Sequence, residues 1–109
     1  MSILYAICAG DAVKFGVTGN SVESRLAEMQ TGNAHELGIA AQYECRVLDA
    51  YEVERLVHEV LVQDRIRGEW FAPTKLVLRI IVLMRKGCLE EFLDPSIEMQ
   101  KPIGEVSDG

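Results

Sequence analysis

The first 18 residues limit the fold most strongly, because they have the pattern of two β-strands joined by a tight turn. Ile3 to Ala9 is a short apolar run, Gly10-Asp11 follows, and residues 12–18 then alternate between apolar and polar or small side chains. Two such runs around a short glycine-containing turn predict a β-hairpin. The apolar face of a small sheet must be hidden, so we expect helices to cover it.

A first helix is predicted directly after this hairpin. Asn20 can cap it, and Glu23 stands three residues later, as in a capping box. Apolar side chains then follow helical spacing over about residues 21–31. The Gly32-Asn33 pair is a typical stop signal, so the helix should end there.

The middle of the chain predicts a third strand and a second helix. The segment from Leu37 to Val47 is rich in strand-forming residues. Its side chains expected on one face of the pleat are Ile39, Ala41, Tyr43 and Cys45. Asp49 can cap the second helix, with Glu52 three residues later.

A third helix is predicted over about residues 73–93, where Pro73 suits the first turn and apolar residues share one face. The element order is then β-β-α-β-α-α, an α/β (α+β) class with a small three-stranded sheet flanked by helices. Residues 1–93 would form the domain, and residues 94–109 a flexible acidic tail.

Charge and cysteine content restrict the classes of function. The formal net charge is −6, whereas generic nucleic-acid binders are usually basic. The excess acid lies in the tail and in residues 36–72, where four basic residues face eight acidic ones. The three cysteines form no C-x-x-C pair, which argues against a zinc ribbon. No apolar run approaches the length of a membrane span, so we expect a cytoplasmic protein without membrane contact.

Five side chains are candidates for chemistry once the elements are placed: Tyr5, Lys14, Arg25, Glu54 and His58. Tyr5 and Lys14 stand on neighbouring strands, and a phenol can act as a general base when a nearby cation lowers its pKa. Arg25 flanks the apolar stripe of its helix and can bind a phosphate through its guanidinium. Taken singly, an ordinary strand tyrosine and a solvated arginine remain the alternatives.

Glu54 and His58 are four residues apart, so both face the same way on the second helix. One carboxylate with few other protein ligands suits Mg²⁺, which keeps most of its waters. A surface Glu–His pair is the alternative. Glu69 stands beside Trp70 and could accept hydrogen bonds from a loop or from Arg25, and both options stay open.

Several short motifs occur in a fixed order between Ile3 and Phe71. They are Ile3-Leu4-Tyr5, Lys14-Phe15-Gly16, Arg25-Leu26 running into Met29-Gln30-Thr31-Gly32-Asn33, Glu54 with His58, and Gly68-Glu69-Trp70-Phe71. Together they resemble the GIY-YIG nuclease superfamily, and in particular its phage-type and bacterial branch. In that branch the second tripeptide reads Lys-Ile-Gly, and a Gly-Glu-Trp-Phe motif closes the pattern.

The resemblance implies a metal-dependent endonuclease with a three-stranded antiparallel sheet flanked by helices. It implies that Tyr5 positions or activates the attacking water, that Arg25 contacts the scissile phosphate, and that Glu54 binds one Mg²⁺ or Mn²⁺ ion. Lys14 replaces the tyrosine of the second tripeptide and could contact a phosphate or lower the pKa of Tyr5. His58 matches a histidine common in the branch, and with Glu69 it joins Lys14 and Arg25 as a candidate substrate-binding residue.

The same resemblance implies the partners. Nucleic acid, with DNA preferred, would be the substrate, and a protein partner could supply specificity, because only one helix and a tail follow the motifs. The chain would act as a monomer or a homodimer. The alternative, favoured by the acidic balance, is a GIY-YIG-like module that binds nucleic acid or a protein partner with little or no catalysis.

Overall fold

The structure is a computed structural model that describes residues 2–100, with side chains up to Ile97. Its strands are β1 (Ile3–Ala9), β2 (Ala12–Thr18), β3 (Leu37–Glu44), β4 (Arg65–Arg67) and β5 (Trp70–Phe71). Its α-helices are α1 (Val22–Gln30), α2 (Ala50–Val60), α3 (Lys75–Lys86) and α4 (Leu89–Leu93). Short 3-10 helices cover Val62–Asp64 and Pro95–Gln100.

The sheet has five strands in the order β3-β1-β2-β5-β4, and every neighbouring pair is antiparallel. The expected three-stranded sheet and the order β-β-α-β-α-α are therefore wrong, whereas the α+β class holds. The two additional strands form a small hairpin that turns at Gly68, whose φ of 53° is in the left-handed region that favours glycine. β5 then pairs with the free edge of β2, with Trp70 opposite Lys14.

The predicted hairpin of β1 and β2 is confirmed, and it forms the centre of the sheet. Tyr5 lies opposite Gly16, and Ile7 lies opposite Lys14. Residues directly opposite each other in an antiparallel pair point to the same face. Tyr5 and Lys14 therefore project from the same side of the sheet.

Helices cover both faces of this sheet. On the α1 face, α1 packs on the strands through a cluster of Tyr5, Ile7, Ala9, Val22 and Leu37. On the opposite, α2/α3 face, a larger cluster joins Leu4, Ala6, Val13, Phe15, Ala41, Tyr43 and Phe71 to residues of α2, α3 and α4. Each face is thus closed by its own apolar contacts.

A β-bulge in β3 separates side chains that the sequence placed on one face. Ile39 pairs with Ile7, whereas Ala41 pairs with Ala6, so Ala40 is an additional residue between them. Because one inserted residue exchanges the two sides of a strand, Ile39 packs on the α1 face and Ala41 on the α2/α3 face. The expectation that they share a face was wrong.

The helix ends show which capping residues act. Ser21, rather than Asn20, caps α1 by accepting a hydrogen bond from the Ser24 amide at 3.0 Å. Asp49 caps α2 as expected, accepting from the Tyr51 amide at 2.8 Å. Both caps satisfy amide groups that a helix start leaves without a partner.

The segment expected as one helix over about 73–93 is two helices. Gly87 has a φ of 74° and ends α3 as a left-handed cap, and α4 starts two residues later. Thr74 caps α3, with its side chain accepting from the Val77 amide at 3.3 Å. Residues 101–109 of the expected flexible tail lie outside the described residues. Among the residues described, no helix is both long and apolar enough to span a bilayer.

Candidate functional site

Tyr5 and Arg25 are in direct contact beside the central hairpin. The Arg25 Nε donates a hydrogen bond to the Tyr5 hydroxyl at 3.4 Å, and its Nη1 contacts Glu28 Oε1 at 3.2 Å. The hydrogen bond to Tyr5, followed by that to Glu28, raises the pKa of Arg25. The guanidinium therefore stays positively charged, and 39% of its side chain is exposed.

The Tyr5 side chain fits over a glycine in the neighbouring strand. A Cβ atom built on Gly16 would lie 2.5 Å from the Tyr5 hydroxyl oxygen and 2.6 Å from Cζ. These distances are far below any normal contact, so only a glycine leaves room for the phenol. Tyr5 is 1% exposed, so its hydroxyl meets the Arg25 side chain and not open solvent.

Lys14, Glu69 and Glu54 form a second group of charges next to this pair. Lys14 Nζ lies 3.5 Å from Glu69 Oε1, and the two side chains are 18% and 42% exposed. Glu54, from α2, is close enough to Glu69 for their carboxylates to interact. Burial, followed by the negative charge of Glu69, raises the pKa of Glu54 to about 7, and Lys14 opposes this shift.

Glu69 stands just before β5 at the edge of β2, and it interacts with both Lys14 and Glu54. α2 packs on the α2/α3 face, whereas Lys14 projects from the α1 face. β5 pairs with two residues of β2, and a further backbone hydrogen bond runs from the Phe15 amide to the Glu69 carbonyl at 3.2 Å. Glu69 therefore joins Glu54, a side chain from the helix on the α2/α3 face, to Lys14, a side chain of the α1 face.

His58 lies at the same edge but makes contacts within the protein. Its Nε2 is 3.1 Å from the Phe15 carbonyl oxygen, and its ring meets the Phe71 ring at 5.1 Å. With a proton on Nε2, His58 donates to a carbonyl group for which β5 offers no partner. This arrangement holds α2 against β2, one helical turn from Glu54.

The structure thus brings the expected site residues together as two adjacent groups on one part of the sheet. Tyr5 and Arg25 make the first, and Lys14, Glu69 and Glu54 make the second. From the sequence, the expected partner of Glu69 was a loop or Arg25. In the structure Glu69 contacts Lys14. The sequence motifs mark Gly16 only as part of a tripeptide. A glycine inside a strand can indicate a close approach of a neighbouring side chain, and here that side chain is Tyr5.

The donor set fits a hard divalent cation better than zinc. Glu54 and Glu69 offer carboxylate oxygens, and Mg²⁺ is commonly held by one or two carboxylates, waters and substrate phosphates. Within the part of the chain that the structure describes, no group of three or more His, Cys, Asp or Glu side chains could hold a metal ion. A closed zinc site would need four such ligands.

Comparison with known proteins identifies one family. The model of the T5orf172 domain, a phage-associated domain, matches residues 3–85. The match includes both groups of charged side chains and all five strands. No curated protein and no solved structure matches the chain.

Proposed function

The chain belongs to the T5orf172 domain family, and on this basis we propose that it is a GIY-YIG-like, metal-dependent endonuclease that hydrolyses phosphodiester bonds, with DNA as the preferred substrate. The observation that carries the proposal is the approach of Glu54 to Lys14 and Glu69 beside the Tyr5–Arg25 pair. Two cations and two carboxylates in one region can hold a phosphate and a metal ion side by side.

The cations of this site would bind the scissile phosphate. Arg25 can place two N–H groups on phosphate oxygens, and Lys14 adds a point charge. Both are now paired with glutamates. The Arg25–Glu28 pair is exposed, and such pairs contribute only about 0–1 kcal/mol, so a phosphate can replace Glu28 at Arg25 at little cost. The Lys14 side chain is only 18% exposed, so replacing Glu69 there costs more.

Glu54 would hold the metal ion, with Glu69 as a second negative charge beside it. A bound Mg²⁺ or Mn²⁺ would neutralise phosphate charge and assist departure of the leaving oxygen. Hydrolysis there would form one P–O bond to a water oxygen and break the P–O bond to the leaving oxygen. The water would give up one proton, and the leaving oxygen would take one up. Tyr5 would orient Arg25 through its hydroxyl, and His58 would keep α2 in place.

A second candidate function is a non-catalytic module that binds nucleic acid or a protein partner. The low exposure of Tyr5 favours it, because a buried hydroxyl cannot receive a proton from water without a local rearrangement. The net charge of −6 also favours it. The two functions differ in one observable, since only the nuclease breaks the backbone.

A cleavage assay separates them. Single-stranded, duplex and branched DNA, and RNA, are incubated with the protein and Mg²⁺ or Mn²⁺. We expect Glu54→Ala and Arg25→Ala each to lower the cleavage rate at least about 100-fold while the far-UV circular dichroism stays unchanged. Glu59→Ala and Arg79→Ala are the matched controls, because these exposed residues lie outside the site, and they should cleave like the parent.

Two results would decide against the nuclease. Cleavage that survives Glu54→Ala would show that the activity belongs to another site or another protein. The binding module would be established instead if the parent protein binds the substrates without cleaving any of them and Glu54→Ala binds them equally well.

A further inference from the structure

An open pocket of about 540 Å³ lies at the turn end of the central hairpin, next to the site just described. Three segments line it: the β1–β2 turn, the loop between α1 and β3, and the β4–β5 hairpin. The side chains that line it include Asn33, His35, Arg67 and Trp70. Its volume is in the range of small-ligand pockets, yet none of the proposed catalytic residues lines it.

One wall of this pocket is formed by Asn33 and His35, in the loop that contains the end of the Gln-Thr-Gly-Asn motif. The proposed cleavage chemistry gives this loop no role. The Gln30 side chain donates to the His35 carbonyl at 2.8 Å and accepts from the Leu37 amide at 2.9 Å. The Asn33 Oδ1 accepts from the His35 amide at 3.0 Å. Gly32, with a φ of 82°, allows the chain to turn here. These bonds hold the loop in one conformation before any ligand arrives.

The side chains on this wall are available to a ligand. The Asn33 amide nitrogen and the His35 ring make no hydrogen bond within the described residues. The His35 ring lies on the Gly10 backbone, where an added Cβ would be 3.3 Å from Nδ1. Gly10 has a φ of 58°, so this close approach rests on a glycine turn.

The opposite wall comes from the β4–β5 hairpin and connects the pocket to the phosphate site. Trp70 lines the pocket, and its ring centroid is 5.8 Å from Lys14 Nζ. Arg67 is exposed and pairs with no acidic side chain among the residues the structure describes. An aromatic ring, a free guanidinium and amide and imidazole groups therefore border one space.

We propose that this pocket takes one unpaired nucleobase of the strand whose phosphate lies at Lys14 and Arg25; this inference rests on the proposed function. Unstacked bases are recognised by stacking on aromatic rings and by hydrogen bonds along their edges. Trp70 supplies the ring, and Asn33 and His35 supply edge partners. Arg67 binds a flanking phosphate. The preferred substrate is then a nucleic acid with an unpaired nucleotide near the cut.

Trp70 is the only tryptophan of the chain, so its fluorescence reports directly on this pocket. The metal-free protein is titrated with deoxyadenosine monophosphate, with deoxyribose 5-phosphate, and with a single-stranded decamer that is intact or abasic at every position. We expect saturable quenching by the mononucleotide and the intact strand and none by the sugar phosphate. The abasic strand should bind about 10-fold more weakly.

Variants test whether the quenching arises in this pocket. Asn33→Ala and Arg67→Gln should each weaken decamer binding several-fold, measured by anisotropy of a labelled strand. Arg79→Gln, an arginine on α3, is the matched control and should bind like the parent. Equal binding of intact and abasic strands, or full quenching in Asn33→Ala and Arg67→Gln, would overturn the pocket assignment.

The pocket and the nuclease can fail separately. Glu54-dependent cleavage without base-dependent quenching would remove the pocket and leave the nuclease. Base-dependent quenching that is lost in the pocket variants, in a protein that cleaves nothing, would support the pocket in a binding module.

Discussion

The Tyr5 hydroxyl occupies the space that any side chain at Gly16 would need, because a Cβ atom there would lie 2.5 Å from the hydroxyl oxygen. The phenol cannot move away freely, since its ring is packed among Ile7, Val22 and Leu37. The glycine of the second tripeptide and the tyrosine of the first are thus one structural unit across two strands.

Gly16→Ala should displace the Tyr5 hydroxyl and break its contact with Arg25. We expect a loss of about 1–3 kcal/mol in the free energy of unfolding, as is typical of overpacking in a core. Cleavage should fall at least about 10-fold, because Arg25 loses the group that orients it. Urea unfolding and the cleavage assay measure the two effects.

Gly38→Ala is the control for this change, since Gly38 also lies in a strand but a Cβ there would meet no atom within 4 Å. It should leave both quantities close to those of the parent. Unchanged stability and cleavage in Gly16→Ala would contradict the tight fit between the two residues.

Glu69→Gln should change how the stability of the fold depends on pH. The pKa of Glu54 is raised from 4.5 to about 7, so the folded state binds that proton more tightly than the unfolded state. Stability contributed by protonated Glu54 is therefore lost as the pH rises from about 4.5 to about 7. Removing the Glu69 charge lowers the pKa of Glu54 and reduces this loss by about 1 kcal/mol.

Thermal unfolding at pH 5 and pH 8 checks this expectation. Between the two values, the melting temperature of Glu69→Gln should fall less than that of the parent. Glu59→Gln, on the exposed side of α2, should follow the parent. Parallel curves for the parent and Glu69→Gln would show that the two carboxylates do not interact.

Glu90→Gln should weaken the fold at a residue outside the proposed site. Glu90 is 1% exposed, and it accepts hydrogen bonds from the Tyr43 hydroxyl at 2.6 Å and from the amides of Arg46, Val47 and Leu48. The side-chain NH2 group of a glutamine cannot accept hydrogen bonds, so some of these N–H and O–H groups would lose their acceptor. We expect the free energy of unfolding at pH 7 to fall by about 2–4 kcal/mol, measured by urea titration.

The pH dependence gives a second check on Glu90. Burial alone would raise its pKa, but the hydrogen bonds from the Arg46, Leu48 and Val47 amides and from Tyr43 lower it overall. Its contribution is present above the ordinary pKa of 4.5 and is lost as the pH falls through the lowered value. The difference between parent and variant should shrink in strong acid. Glu44→Gln, at an exposed strand position, should show neither effect.

The sequence predicted the elements whose patterns are long enough to carry a period. β1 and β2 each span seven residues around a glycine turn, and Asp49 marks the start of α2. β4 and β5 have three and two residues, which is too short for an alternation to be recognised. The bulge at Ala40 depends on pairing with β1, so no local pattern in β3 announces it.

The sequence also predicted only part of the candidate site. The motifs predicted Tyr5, Arg25 and Glu54 as site residues, since each has a side chain suited to this chemistry and stands at a position that the family resemblance marks. The contact between Lys14 and Glu69 joins segments 55 positions apart, and it becomes visible only when β5 pairs with β2. The burial of Glu90 could not be predicted, because nothing in a sequence distinguishes a buried acid from an exposed one in a short helix.

Because Glu69 stands just before the two-residue strand β5, its place beside Lys14 depends on a short peripheral pairing and not on the composition of the core. A shift of that pairing along β2 would move Glu69 away from Lys14 and Glu54. A domain of this kind can therefore gain or lose contacts among its charged side chains through one marginal hairpin, while the three long strands keep their pairing with one another.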